Sequence, residues 1–126
     1  MGEEVAMGSI TVSLAVAMVA ASGIADGMLP CLPEGTPDGT IVQVAGIQGK
    51  AVVSPKGDGS VRVTAMVLGG EATFRTLIRG FRDRLGLPVF IRPDPPLAGW
   101  SSADVTVTYL PRKPDAVWVD WICPAM

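Results

Sequence analysis

Short segments of alternating apolar and polar positions recur along this chain, and each one predicts a β-strand. Val61–Leu68 (VRVTAMVL) is the clearest: Val61, Val63, Ala65 and Val67 share one face, while Arg62 and Thr64 take the other. Residues 40–45 (TIVQVA) and 50–54 (KAVVS) precede it and flank the turn Gly46-Ile47-Gln48-Gly49. Asp58-Gly59, inside the stretch 55–60, is a strong hairpin signal, so the three strands read as a meander. Farther along, 89–92 (VFIR), 104–110 (DVTVTYL) and 116–122 (AVWVDWI) read as strands. In the last of these, Val117, Val119 and Trp121 share a face, and Trp118, Asp120 and Ile122 share the other. A strand with a tryptophan on each face needs cover on both sides. If one domain cannot supply it, a second subunit must.

Between the two groups of strands the period changes. In Glu71–Leu85 (EATFRTLIRGFRDRL), Phe74, Leu77, Ile78, Phe81 and Leu85 form a single apolar stripe at helical spacing. Gly69 and Gly70 break the preceding strand, Glu71 suits the positive end of the helix dipole, Gly86 suits a left-handed C-cap, and Pro88 blocks continuation. Residues 27–39 read as loop, with Pro30, Pro33 and Pro37 beside Gly35 and Gly39. Pro93-Asp94-Pro95-Pro96 reads as a stiff extended connector, followed by a loop carrying Trp100.

Residues 5–25 contain no charge. A signal peptide would want a basic start, and this chain opens with Glu3 and Glu4, although small residues end at Ala21. The segment has the length of a membrane span, yet Ser9, Thr11, Ser13 and Ser22 dilute it and no Lys or Arg flanks it. Ile10, Val12, Leu14, Val16 and Met18 alternate with Thr11, Ser13, Ala15 and Ala17. That period-2 pattern favours a buried strand engaged in sheet or subunit packing.

Composition removes much chemistry. The chain of 126 residues holds no histidine. Ser-His-Asp and Cys-His catalysis and His-bearing zinc sites therefore fall away. Cys31 and Cys123 have no C-x-x-C partner, so structural zinc falls away too, leaving two free thiols or one disulfide. Asp58, Asp94, Asp104 and Asp120 do not recur at the spacing of a calcium loop or a facial triad. The strand–Gly69-Gly70–helix arrangement lacks phosphate-loop spacing, and Glu71 would repel a phosphate there. No catalytic residue, cofactor or metal is assigned.

Charged residues make up 17% of the chain and the net charge is −2. A low charged fraction favours burial against a partner, and the net sign argues against a dedicated nucleic-acid protein. Residues 1–60 carry two Lys against six acids, whereas 61–126 carry eight basic residues against six acids. Arg75, Arg79 and Arg82 neighbour one another on the side of the predicted helix opposite its apolar stripe, with Glu71 placed to pair with Arg75 and Asp83 with Arg79. One reading is a solvated face; a second is an interface to carboxylates of a neighbouring subunit, which the acid-rich first half could supply. A nucleic-acid surface is the third and weakest, since no aromatic residues interleave the arginines.

The elements predict an α+β fold: one domain over 1–126, with a mostly antiparallel sheet of five to seven strands and the 71–85 helix across one face. In size and element order the chain resembles the small ring-forming neck and tail-completion proteins of tailed phages, a likeness of architecture that covers no motif. The functional expectation is a non-enzymatic structural subunit of a homo-oligomeric assembly, such as a virion shell, neck or tail-ring component. It would meet copies of itself and other assembly proteins, in a virion or the cytoplasm rather than secreted. Candidate interface residues are Arg75, Arg79, Arg82, Trp100, Trp118 and Trp121. The alternatives are a small exported or membrane-anchored domain, and a ligand-binding domain or enzyme that uses carboxylates.

Overall fold

The computed structural model describes residues 28–111 and 115–124, so the strand expected within 5–25 lies outside the described residues. In chain order the elements are β1 (Thr40–Val44), β2 (Ile47–Pro55), β3 (Val61–Leu68), α1 (Glu71–Leu85), β4 (Phe90–Pro93), β5 (Pro96–Gly99), a 3-10 turn (Ser102–Asp104), β6 (Thr106–Leu110) and β7 (Ala116–Cys123). The strands form one seven-stranded sheet in the order β1-β2-β3-β7-β6-β5-β4, antiparallel at every step. The fold is therefore α+β. Two meanders meet at the centre, where β7 pairs with β3 from Val61↔Cys123 to Leu68↔Ala116, and α1 carries the chain from central β3 to the far edge at β4.

The alternation in β3 and β7 sets which face is inside. Val61, Val63, Ala65 and Val67 of β3, with Val117, Val119 and Trp121 of β7, are buried on one face. Val42 and Val44 of β1 and Val107 of β6 extend that layer. Leu77 and Phe81 close over it from α1, each fully buried and each worth about 1.5–3 kcal/mol in removed apolar surface. Gly86 ends the helix with its N–H donated to the Arg82 carbonyl at 3.0 Å, but at φ 87 and ψ −163 it adopts an extended positive-φ conformation and not the left-handed cap expected. Leu29 and Leu32, from the segment before β1, complete the core.

That segment is fastened at several points. Ala45 N–H donates to the Met28 carbonyl (2.9 Å), and Trp121 Nε1–H donates to the Pro30 carbonyl (3.0 Å). Cys31 and Cys123 form a disulfide with a Cα–Cα separation of 5.6 Å, which decides between the two redox states the sequence left open.

Three local expectations change. The β1–β2 turn is not at 46–49 but at Ala45-Gly46, whose φ values of 50 and 85 make a two-residue type I′ hairpin; 47–49 then lengthen β2. Such turns match the right-handed twist of the flanking strands, which a four-residue loop there would not improve. The proline-rich stretch is a hairpin rather than a stiff connector. Pro93 pairs with Pro96 across Asp94-Pro95, joined by a cis peptide bond, and Leu97, Ala98 and Gly99 continue as β5. Prolines are tolerated at strand ends that need no N–H. Finally, β6 starts at Thr106 because Ser102–Asp104 coil into the 3-10 turn, with Asp104 at φ 51.

The β2–β3 loop is ordered by a carboxylate. Asp58 accepts hydrogen bonds from the Ser60 amide (2.9 Å) and from the Ser60 hydroxyl. Chiefly through that hydroxyl, they hold the Asp58 carboxyl below its ordinary value. A depressed carboxyl contributes stability above its ordinary pKa and loses it only as pH falls through the lowered value. An NMR pH titration should thus find Asp58 still ionised where an isolated aspartate is half protonated, and Ser60→Ala should raise its midpoint. An unmoved midpoint in that variant would remove the hydroxyl as the cause.

Candidate functional site

Packing Leu77 and Phe81 against the sheet turns one flank of α1 outward. Phe74 and Ile78, partly buried at the margin, join Arg75, Arg79 and Arg82 to line a groove of about 310 Å³. The three arginines singled out from spacing are thus brought together. Arg75 pairs with Glu71 at 2.7 Å, both side chains being mostly exposed, so this pair contributes little to stability. The expected Asp83–Arg79 pair is not formed. Among the described residues neither Arg79 nor Arg82 has an ion-pair partner. A cation placed four residues before an acid is the weaker orientation on a helix, consistent with its absence. The groove joins an apolar floor to a cationic rim, and it suits carboxylates carried on a segment with some apolar surface.

The tryptophans separate. Trp100 and Trp121 are spent inside the fold. Trp100 is 3% exposed, lies 5.6 Å from the Phe81 ring, and donates Nε1–H to the Gly86 carbonyl at 2.8 Å. Trp121 is fully buried under the 28–33 segment. Trp118 remains half-buried on the face opposite α1. The strand registers place it at the centre of a row that crosses all seven strands: Ile41, Lys50, Met66, Trp118, Thr108, Leu97 and Arg92. In the neighbouring row Thr64 donates its hydroxyl to Asp120 at 2.5 Å. Ile41 and Leu68 are 47% and 61% exposed on this side, and Leu87, Val89 and Ile91 are exposed along the β4 edge.

One feature escaped the reading of the sequence. The loop before β1 is a tandem of two identical turns, Pro33-Glu34-Gly35-Thr36 and Pro37-Asp38-Gly39-Thr40. In each, the threonine donates both its amide N–H (3.2 and 3.3 Å) and its hydroxyl (2.6 Å in both) to the proline carbonyl. Gly35 and Gly39, at φ 91 and 86, supply the positive φ that a type II turn needs at its third position. Glu34 and Asp38 therefore stand exposed at equivalent points of two rigid turns. The repeated Pro–acid–Gly–Thr tetrapeptide is the signal that was available.

The remaining chemistry stays dispersed. At the start of α1, Gly69 N–H donates to the Asp115 carbonyl, and the Asp115 carboxylate lies beside Gly70. Partial burial raises the Tyr109 phenol above its ordinary value, and the carboxylates of Asp115 and Glu71 add to the rise. Two acids already occupy the ground where a phosphate would sit. Asp94 lies in the β4–β5 turn, Asp104 in the 3-10 turn and Asp120 on the open sheet face. Among the described residues no group of three or more acidic or cysteine side chains could hold a metal ion. Set against models of protein families, curated proteins and solved structures, the chain matches none.

Proposed function

We propose that this protein is a non-enzymatic structural subunit of a homo-oligomeric assembly, of the kind that builds a virion shell, neck or tail ring. The observation that carries this reading is the open face of the sheet. Among the described residues the helix and the 28–33 segment both pack on the other face, while Trp118, Met66, Leu97 and Ile122 are half-buried and Ile41, Val52 and Leu68 are exposed. Among the described residues nothing covers these side chains, which stand between Lys50, Arg92 and Asp120. Exposed apolar surface of this kind marks an interaction site, and obligate subunits bury it against one another. Mass photometry or light scattering at micromolar concentration tests this directly. A discrete oligomer is expected, and a strictly monomeric species across a hundredfold concentration range would sink the proposal.

The disulfide favours a second reading, an exported domain, because such bonds persist in oxidising compartments. No helix among the described residues is long and apolar enough to cross a membrane. Fractionation with thiol alkylation separates the two: recovery of the native protein in a reducing compartment with both thiols alkylated would remove the exported reading.

A further inference from the structure

We infer that neighbouring copies join head to tail, the tandem acidic turns of one copy (Glu34 and Asp38) seating in the arginine groove of the next (Arg79 and Arg82). This rests on the homo-oligomeric reading and names the two surfaces that would meet. Elimination carries the argument. Most other described carboxylates are engaged within their own chain: Asp58 by Ser60, Asp120 by Thr64, Glu71 by Arg75 and Asp115 by Tyr109. Asp83 shares the helix with the arginines, and Asp94 and Asp104 stand singly in separate turns. Among the described residues, Glu34 and Asp38 are the one pair of exposed acids held on a single ordered segment, four residues apart. Across from them in charge, Arg79 and Arg82 are exposed, three residues apart on a rigid helix, and without ion-pair partners among the described residues.

Position supports the pairing as well. The acidic turns lead directly into β1, one edge of the sheet, and the arginine helix leads through 86–89 into β4, the opposite edge. A two-fold pair would need both surfaces on one patch, acid to arginine and arginine to acid at once. Surfaces associated with opposite edges favour a heterologous contact, whose repetition closes a ring or extends a filament. The prolines and glycines of the turns keep the carboxylates ordered before contact, which lowers the entropy lost on docking, while the long arginines adapt to their spacing. The groove floor of Phe74 and Ile78 would lie against the turn prolines, desolvating the charges and strengthening the pairs.

Charge exchange tests this. Arg79→Glu with Arg82→Glu, and separately Glu34→Lys with Asp38→Lys, should each weaken assembly roughly 30-fold or more while circular dichroism and melting temperature hold, since all four side chains are exposed. The milder Glu34→Gln with Asp38→Asn should weaken it in the same direction. The decisive protein carries all four reversals in one chain, and it should assemble as the wild type does. Losses below about fivefold would mean a solvated face and overturn the inference. Reversed pairs that abolish assembly without rescue in the fourfold variant also overturn it, pointing to acids elsewhere or on another partner. In both cases an oligomeric wild type leaves the broader proposal standing, whereas a monomeric wild type removes both.

Discussion

Opening the Cys31–Cys123 bond is expected to lower the stability of this fold by about 2–5 kcal/mol. The bond joins residues 92 apart in sequence, and the loss of loop-closure entropy from the unfolded chain is about 4.6 kcal/mol for a loop of that length. The native side matters too, because the bond fastens the 28–33 segment, which brings Leu29 and Leu32 into the core, to β7. Thermal unfolding of the oxidised protein and of Cys31→Ser with Cys123→Ser should differ by roughly 10–20 °C. Equal midpoints for the two would mean that the bond constrains neither state.

Trp121→Ala should cost about 3–5 kcal/mol, the usual result of emptying a fully buried aromatic site. Trp121 sits on β7 next to the central seam, and its Nε1–H satisfies the Pro30 carbonyl, which the variant leaves without that donor. Trp121→Phe retains most of the ring volume and should lose about 1–3 kcal/mol through the unmet carbonyl. Urea midpoints give the ranking, and an alanine variant as stable as the phenylalanine one would contradict it. Because Pro30 and Cys31 are adjacent, the indole and the disulfide hold the same junction. Combining Trp121→Ala with loss of the disulfide should therefore cost less than the sum of the two, since the second change acts on a junction already freed.

How much of this was legible varied with the range of the interaction. Val61–Leu68 and Glu71–Leu85 match expectation residue for residue, because their period is set by which side chains face the core. Likewise Val117, Val119 and Trp121 share the buried face as alternation required. The β4–β5 hairpin was missed because Pro93, Pro95 and Pro96 read as an obstacle to pairing, while Pro93 and Pro96 pair at the strand ends, where no further ladder N–H is needed. Trp100 stands in a loop as expected, but its burial was not legible because its partners, Phe81 and the Gly86 carbonyl, lie on the far side of that hairpin in sequence. The groove was half legible: helical spacing brought the arginines together, and the order of Arg79 before Asp83 was a weak local signal against that pair, but the packing that sets Phe74 and Ile78 beside the arginines is tertiary. The order of strands, above all the central place of β7, follows from long-range pairing that no local pattern records.

That central place governs how the protein emerges from the ribosome. β1, β2 and β3 are made first and can pair among themselves, but the outer side of β3 stays open until residues 116–123 have left the exit tunnel. The β4–β6 hairpins, made next, wait in the same way for a partner to β6. A nascent chain short of β7 is thus two incomplete sheets, each displaying a raw edge of the kind that recruits chaperones or aggregates. A nonsense mutation just before Ala116 would remove the seam, not a margin. Losing the eight residues of β7 would be more damaging than deleting the four of β4 from the rim.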